Sequence, residues 1–131
     1  MDQELLVKEQ VEAALRFLRE FSKYAPIKSA AWLRETDSGR WYLYVVSDSI
    51  TDQNVDVAYG EVLRIAGALE KPRIDPFRVR IIAGNSSVAD RILEIQQRHE
   101  TGTTPAPWQP LEPLGAEDAH VYDMPVDIQG I

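Results

Sequence analysis

The chain of 131 residues contains no cysteine, which excludes disulfide bonds, thiolate metal sites and cysteine nucleophiles. It also lacks any apolar run approaching the roughly 18 to 20 residues that span a bilayer. Residues 1–4 lack the basic and apolar regions of a signal peptide. We therefore expect a cytoplasmic protein with no membrane partner. A glycine-rich nucleotide loop is absent too, so we expect no cofactor.

Basic residues are missing from the last part of the chain, where no Lys or Arg follows Arg98. The net charge is −7, and residues 101–131 form an acidic C-terminal segment. Binding to a phosphate backbone needs clustered Lys and Arg, so we expect no nucleic-acid partner. With 44% hydrophobic and 27% charged residues, the composition predicts a single globular domain over residues 1–131.

Histidine is scarce, and neither His99 nor His120 has a second histidine at ligand spacing. Several carboxylates surround His120, but in a strand Asp123 would point away from it, which favours a solvated acidic strand over a cation site. A Gly-x-Ser-x-Gly elbow is absent as well. We therefore predict no metal site and no catalytic residues, and we favour a role other than catalysis.

The sequence is organised around a β-hairpin at Ile27–Asp48, where two runs of aromatic and β-branched residues flank a turn that ends at Gly39. A turn through Asp37 and Ser38 with Gly39 left-handed would pair Thr36 with Arg40. That register predicts one aliphatic face and one mixed face, and the mixed face carries Trp32, Arg34, Tyr42 and Tyr44. The mixed face has two interpretations. It is either ordinary cross-strand packing or an interaction surface with Trp32 as its anchor, because Trp, Tyr and Arg are enriched at hot spots.

Helical periodicity predicts helices over Gln3–Tyr24, about 53–70 and about 88–99, and alternation predicts strands at Phe77–Ala83 and from His120 onward. The order α-β-β-α-β-α-β predicts an α+β fold. It has about four strands in a mainly antiparallel sheet, with helices mainly on one face. Gly60 and Gly67 share one line of the second helix, which predicts that a neighbouring group packs closely there.

Two further segments have functional interpretations. The turn Gly84, Asn85, Ser86 and Ser87 leads from a strand into a helix, so it either binds an anion or simply caps the helix through Ser87 and Asp90. A proline-rich strap at 101–114 is predicted to be extended and anchored to the body by Trp108 and Leu111.

Three segments resemble a small bacterial protein family to which no function is assigned. They are Ala31–Arg34 with Gly39–Tyr44 of the hairpin, Leu93–Arg98, and Gly115–Tyr122. The sequence departs from the family pattern between Thr101 and Pro113, where basic residues would be expected and none occur. The resemblance implies an ordered, compact protein and brings no activity.

Two functions from different classes follow. We favour a protein-interaction or self-associating module, such as a homodimer, that uses the aromatic hairpin face. The alternative is a small-molecule protein, binding an anionic ligand or acting as an enzyme, with its site at residues 84–87. A concave pocket in the fold would distinguish the two, because ligand sites are enclosed and partner surfaces are flatter.

Overall fold

A computed structural model describes residues 8–70, 73–100 and 116–122, with the backbone alone described at 98–100 and 116–118. The elements in chain order are α1 (Lys8–Tyr24), β1 (Ser29–Glu35), β2 (Trp41–Ser47), α2 (Val55–Ala68), β3 (Val79–Ala83), α3 (Ser87–Glu100) and β4 (Ala116–Val121). A single 3₁₀ turn, Pro76–Arg78, precedes β3. This is the predicted element order, and it confirms the α+β class.

The strands form one sheet in the order β3-β2-β1-β4. β1 pairs antiparallel with β2 and with β4, whereas β2 and β3 are parallel. The sheet is therefore mixed, with two of its three pairings antiparallel. The parallel pair requires a crossover, which α2 supplies.

Helices cover both faces of the sheet. α1 and α2 pack on the face that carries Trp32, Leu43 and Val45, which we call the α1/α2 face. α3 packs on the opposite face, over Leu33 and Val46, which we call the α3 face. Two of the three helices thus share one face, and the sheet is buried from both sides.

The apolar stripe of α1 explains its position. Ala14, Phe17, Leu18 and Phe21 are buried, and the rings of Phe17 and Phe21 stack with centroids 5.7 Å apart. Pro26 restricts Ala25 to extended conformations, so the helix ends at Tyr24. Predicted residues of this helix before Lys8, and the whole strap at 101–114 with Trp108 and Leu111, lie outside the described residues.

The hairpin forms as predicted, and Gly39 is left-handed with φ of 68°. Its predicted register is wrong by one residue. The Glu35 N–H donates to the Arg40 carbonyl at 2.9 Å, so the loop has four residues, 36–39, and not three. Trp32 consequently lies opposite Leu43, and Leu33 lies opposite Tyr42. Because side chains alternate along a strand, a slip of one residue transfers a strand's side chains to the other face.

Two further predictions, one about packing and one about where a strand begins, are also wrong. A Cβ added at Gly60 or Gly67 would meet no atom within 4 Å, so both glycines lie on the outer side of α2. Phe77, predicted to be the first residue of the third strand, belongs to the 3₁₀ turn and is 82% exposed. Its turn begins at Pro76, which fixes φ and removes a backbone donor, so the strand starts only at Val79.

Candidate functional site

The four residues of the predicted interaction surface do not share a face. Trp32 is only 2% exposed and belongs to the core on the α1/α2 face, and Arg34 pairs there with Trp41. Tyr42 and Tyr44 lie on the α3 face. The one-residue shift of the hairpin register separates the two pairs, so the predicted aromatic surface does not exist in this fold.

Trp32 instead belongs to a buried hydrogen-bonded chain. Its indole N–H donates to the Tyr122 hydroxyl at 2.9 Å, and that hydroxyl donates to the Val11 carbonyl at 2.8 Å. Burial raises the pKa of Tyr122 above its ordinary value, so the phenol remains protonated. The chain links α1, β1 and the residue that follows β4. Its role is structural.

Tyr42 and Tyr44 belong to a polar cluster on the α3 face. The Tyr44 hydroxyl donates to Glu35 Oε2 at 3.1 Å, and Arg80 Nη2 lies 3.2 Å from the same oxygen. The Arg80 guanidinium carbon is 4.2 Å from the centre of the Tyr42 ring. Burial, followed by the charge of Glu35, raises the pKa of Tyr44 to about 12. A phenol with that pKa is a poor general acid or base at neutral pH.

The parallel pairing of β2 and β3 creates a different candidate site. Parallel strands have their carboxyl ends at the same edge of the sheet, and here the helices that follow them leave to opposite faces, α2 to one and α3 to the other. Such a divergence opens a crevice between the two connecting loops, the usual position of ligand sites in parallel sheets. A cavity of about 360 Å³ lies at this point, lined by Thr51, Asp52, Gln53, Ala83 and Asn85. We call it the crevice.

The two connecting loops, one after β2 and one after β3, contact each other closely at this edge of the sheet. The Gly84 N–H donates to the Ser47 carbonyl at 3.0 Å. A Cβ on Gly84 would collide with the Asp48 carboxylate and lie 3.0 Å from the Asp48 Cα. Glycine is therefore the residue that lets the two backbones approach at this point.

Of the four residues predicted in the strand-to-helix turn, Asn85 alone lines the crevice. Gly84 is buried against Asp48, and Ser87 is exposed at the first position of α3. Ser86 caps α3: its Oγ accepts from the Ala89 N–H at 3.0 Å and donates to the Ala83 carbonyl at 2.9 Å. The predicted cap at Ser87 was thus one residue late.

The loop on the other side of the crevice is held by its own side chains. The Thr51 N–H donates to Asn54 Oδ1 at 2.7 Å, and Asn54 Nδ2 donates to the Ser49 carbonyl at 2.8 Å. Thr51 Oγ1 accepts from the Gln53 N–H at 3.2 Å. These bonds fix the backbone before α2, so the lining formed by residues 51–53 has a defined shape. Sequence reasoning missed this half of the site, although its Ser, Thr, Asp and Asn residues are typical of a structured turn.

The charged groups around the crevice are mostly acidic. Asp52 lines it, and Asp56 and Asp90 lie in the first turns of α2 and α3. Asp48 pairs with Lys28, with Nζ and Oδ1 3.5 Å apart. Within the described residues no group of three or more His, Asp or Glu side chains is arranged to hold a metal ion. That finding does not test the prediction of a protein without a metal site.

A second concave feature lies beside the 3₁₀ turn. An apolar groove of about 250 Å³ is lined by Tyr59, Val62, Leu63, Pro76, Phe77 and Val79. Two of these lining residues are largely exposed, Phe77 at 82% and Leu63 at 55%. The Tyr59 hydroxyl accepts from the Ile81 N–H at 3.0 Å, which occupies one backbone donor of β3, a strand at the edge of the described sheet. We call this feature the apolar groove.

Comparison with protein-family models, with curated proteins and with solved structures finds no match. The resemblance of three short segments to a bacterial family therefore stays a prediction. Among the described residues, no helix is both long enough and apolar enough to cross a bilayer.

Proposed function

We propose that this protein binds a small polar molecule in the crevice. The observation that supports this proposal most directly is a cavity of about 360 Å³ at the carboxyl ends of two adjacent parallel strands whose helices diverge. Its volume falls within the range of about 300 to 1,000 Å³ typical of small-molecule sites. The crevice is open to solvent, since the four polar residues that line it are exposed. Its lining combines a hydroxyl, a carboxylate and two side-chain amides, which can orient a ligand by hydrogen bonds.

Binding without catalysis is the form of this function that we favour. Ser86 uses its hydroxyl to cap α3, so it is not poised as a nucleophile. The two described tyrosines with perturbed pKa values, Tyr44 and Tyr122, lie in clusters that the crevice lining does not include. The lining therefore offers recognition groups and no pair of groups assembled for proton transfer.

A substitution that fills the crevice tests this proposal. Asn85→Trp places an indole in the lining. A screen of small polar compounds by ¹H–¹⁵N NMR should detect ligands that shift the signals of residues 51–53 in the wild type but not in this variant. Gln97→Trp is the matched control, because it changes an exposed amide on α3 to the same side chain. Equal binding by wild type and Asn85→Trp would contradict a site at the crevice.

A second candidate function is self-association through the apolar groove. This is the protein-interaction function that the sequence favoured, on a different surface. Its specific support is Phe77, a residue of the groove lining that is 82% exposed. A second copy of the chain is a suitable occupant, because Glu61 and Arg64, which flank two lining residues on α2, pair with each other at 2.7 Å and would present no net charge to it.

Sedimentation velocity over a concentration series tests self-association. If Phe77 anchors a dimer, Phe77→Ser should weaken it by at least about 2 kcal/mol, as expected of a hot spot. Val57→Ser is the control, because Val57 is 61% exposed on α2 but does not line the groove. A wild type that is monomeric at every concentration would dismiss this second candidate and leave the crevice proposal unaffected.

A further inference from the structure

α2 carries apolar side chains on its outer side as well as on the side that packs on the sheet. The residues that it buries are Ala58, Val62, Ile65 and Ala66. On the outer side Val57 is 61% exposed and Leu63 is 55% exposed. The charged residues of the helix are limited to Asp56, Glu61 and Arg64. A helix that is apolar on both sides is typical of one that is covered on both, so the outer side has the character of a contact surface.

The exposed residues of this outer side are arranged symmetrically about Gly60. Asp56 lies one helical turn before Gly60 and Arg64 lies one turn after it, so the three share one line along the helix. Val57 and Leu63 lie at equal distances before and after Gly60, on the two sides of that line. All five residues are exposed. We call them the outer face of α2.

This pattern complements itself when a second copy packs antiparallel across a two-fold axis at Gly60. Symmetry then brings Asp56 of each copy to the level of Arg64 of the other, and Val57 to the level of Leu63. A parallel arrangement would bring like charges to the same level, which is repulsive. Arg64 pairs with Glu61 at 2.7 Å, but its side chain is 63% exposed and its guanidinium has further donors, so it can bind a second carboxylate.

Gly60 allows the two helices to approach each other closely. A Cβ at Gly60 would meet no atom within 4 Å, so the space above this residue is open. Glycine weakens a helix relative to alanine, and packing within the chain does not require it here. Close approach of another backbone does require a residue without a side chain. The position of Gly60 midway between Asp56 and Arg64 therefore fits the crossing point of two helices.

We infer that two copies of this chain associate through the outer face of α2, with the helices antiparallel and Gly60 at the two-fold axis. The occupant is a second copy because the charges and apolar residues of this face match the same face in reverse order. The interface is independent of the ligand site proposed in the crevice. It also differs from contact through the apolar groove, which borders this face at Leu63 but does not include Val57.

Charge reversal tests the antiparallel arrangement by sedimentation velocity of the full chain over a concentration series. Asp56→Arg and Arg64→Asp should each weaken the dimer at least about ten-fold, because each places like charges at two symmetry-related positions. The double variant Asp56→Arg/Arg64→Asp, and an equimolar mixture of the two single variants, should associate again. Asp90→Arg is the matched control, because it makes the same change in the first turn of α3 and should leave the dimer unchanged.

Gly60→Leu separates association from folding. The added side chain meets open space in the single chain, so Tm at low concentration should rise, whereas the dimer should weaken at least about ten-fold because the helices are held apart. Val57→Ser should also weaken the dimer, and Phe77→Ser should not.

A dimer that is weakened by Phe77→Ser and not by Val57→Ser would place the contact in the groove and overturn the inference. Failure of the charge-reversed pair to associate would overturn it as well. A wild type that is monomeric at every concentration would overturn the inference together with contact through the groove, and would leave the crevice proposal standing.

Discussion

The hydrogen-bonded chain from Trp32 through Tyr122 to Val11 makes the sharpest stability prediction. Tyr122→Phe removes one oxygen and keeps the ring. That oxygen accepts from the Trp32 indole N–H at 2.9 Å and donates to the Val11 carbonyl at 2.8 Å. Because Trp32 is 2% exposed, water cannot replace the missing acceptor without disturbing the core.

The expected magnitude follows from these contacts. A buried donor left without a partner costs about 1 to 3 kcal/mol, and a lost hydrogen bond that water can replace costs about 1 kcal/mol. We therefore expect Tyr122→Phe to lower the free energy of unfolding by about 2 to 3 kcal/mol. In a chain of this length that corresponds to a fall in Tm of roughly 6 to 15 °C.

Urea unfolding followed by tryptophan fluorescence measures this loss, and two variants make it specific. Tyr59→Phe is the matched control: it removes a hydroxyl that accepts one bond, from the Ile81 N–H, on a side chain that is 37% exposed. It should cost less than about 1 kcal/mol. In a Trp32→Phe background no indole N–H is left unpaired, so Tyr122→Phe should cost about 1 to 2 kcal/mol less than in the wild type. Equal losses for Tyr122→Phe and Tyr59→Phe, with no coupling to Trp32, would refute the reasoning.

Three further predictions follow from the described contacts. Gly67→Ala should raise the free energy of unfolding by about 0.5 to 1 kcal/mol, because the added Cβ meets open space and alanine favours the helix; a lower Tm would contradict this. Gly84→Ala should lower it by about 1 to 2 kcal/mol through collision with Asp48, and Asp48→Ala in the same chain should recover part of the loss; an unchanged urea midpoint for Gly84→Ala would show that the loops have room. The pKa values of Tyr44 and Tyr122 are raised in the folded protein, so the stability these residues contribute is complete below about pH 10 and lost as the pH rises through the folded pKa values; urea midpoints at about pH 8 and about pH 11 should differ, and less so in Tyr44→Phe.

Local patterns in the sequence were sufficient to predict the elements and their order. The stripe of α1, the left-handed glycine of the hairpin and the alternation of β3 each reflect the geometry of one segment, which neighbouring residues determine. Loop length is harder, because three- and four-residue hairpin loops share the same turn residues. The structure has four, and that single residue moved Trp32 from a predicted surface to the core. The buried indole N–H of Trp32 has its hydrogen-bond partner in Tyr122, which lies 90 residues away in the sequence.

Only one of the two loops that line the crevice could be predicted from the sequence, for a related reason. The residues after β3 were recognised, because a Gly-Asn-Ser-Ser turn that leads from a strand into a helix is a local signal. The residues after β2 were not, since Thr51–Gln53 become part of a site only if β2 and β3 lie side by side and parallel. The parallel pairing of β2 with β3 depends on how α2 and α3 divide between the two faces of the sheet. No short sequence pattern encodes that division.

The same division of helices explains why the crevice, and not the hairpin, is the better candidate site. Because α3 covers the face that α1 and α2 leave open, the hairpin has no bare aromatic face, and its large side chains are used for packing on both sides. Covering both faces also means that the chain must leave β2 in one direction and β3 in the other. The arrangement that removes the predicted interaction surface is thus the one that opens a cavity at the carboxyl edge. Substitutions in the hairpin should therefore change stability, whereas substitutions at residues 51–53 and 85 should change binding.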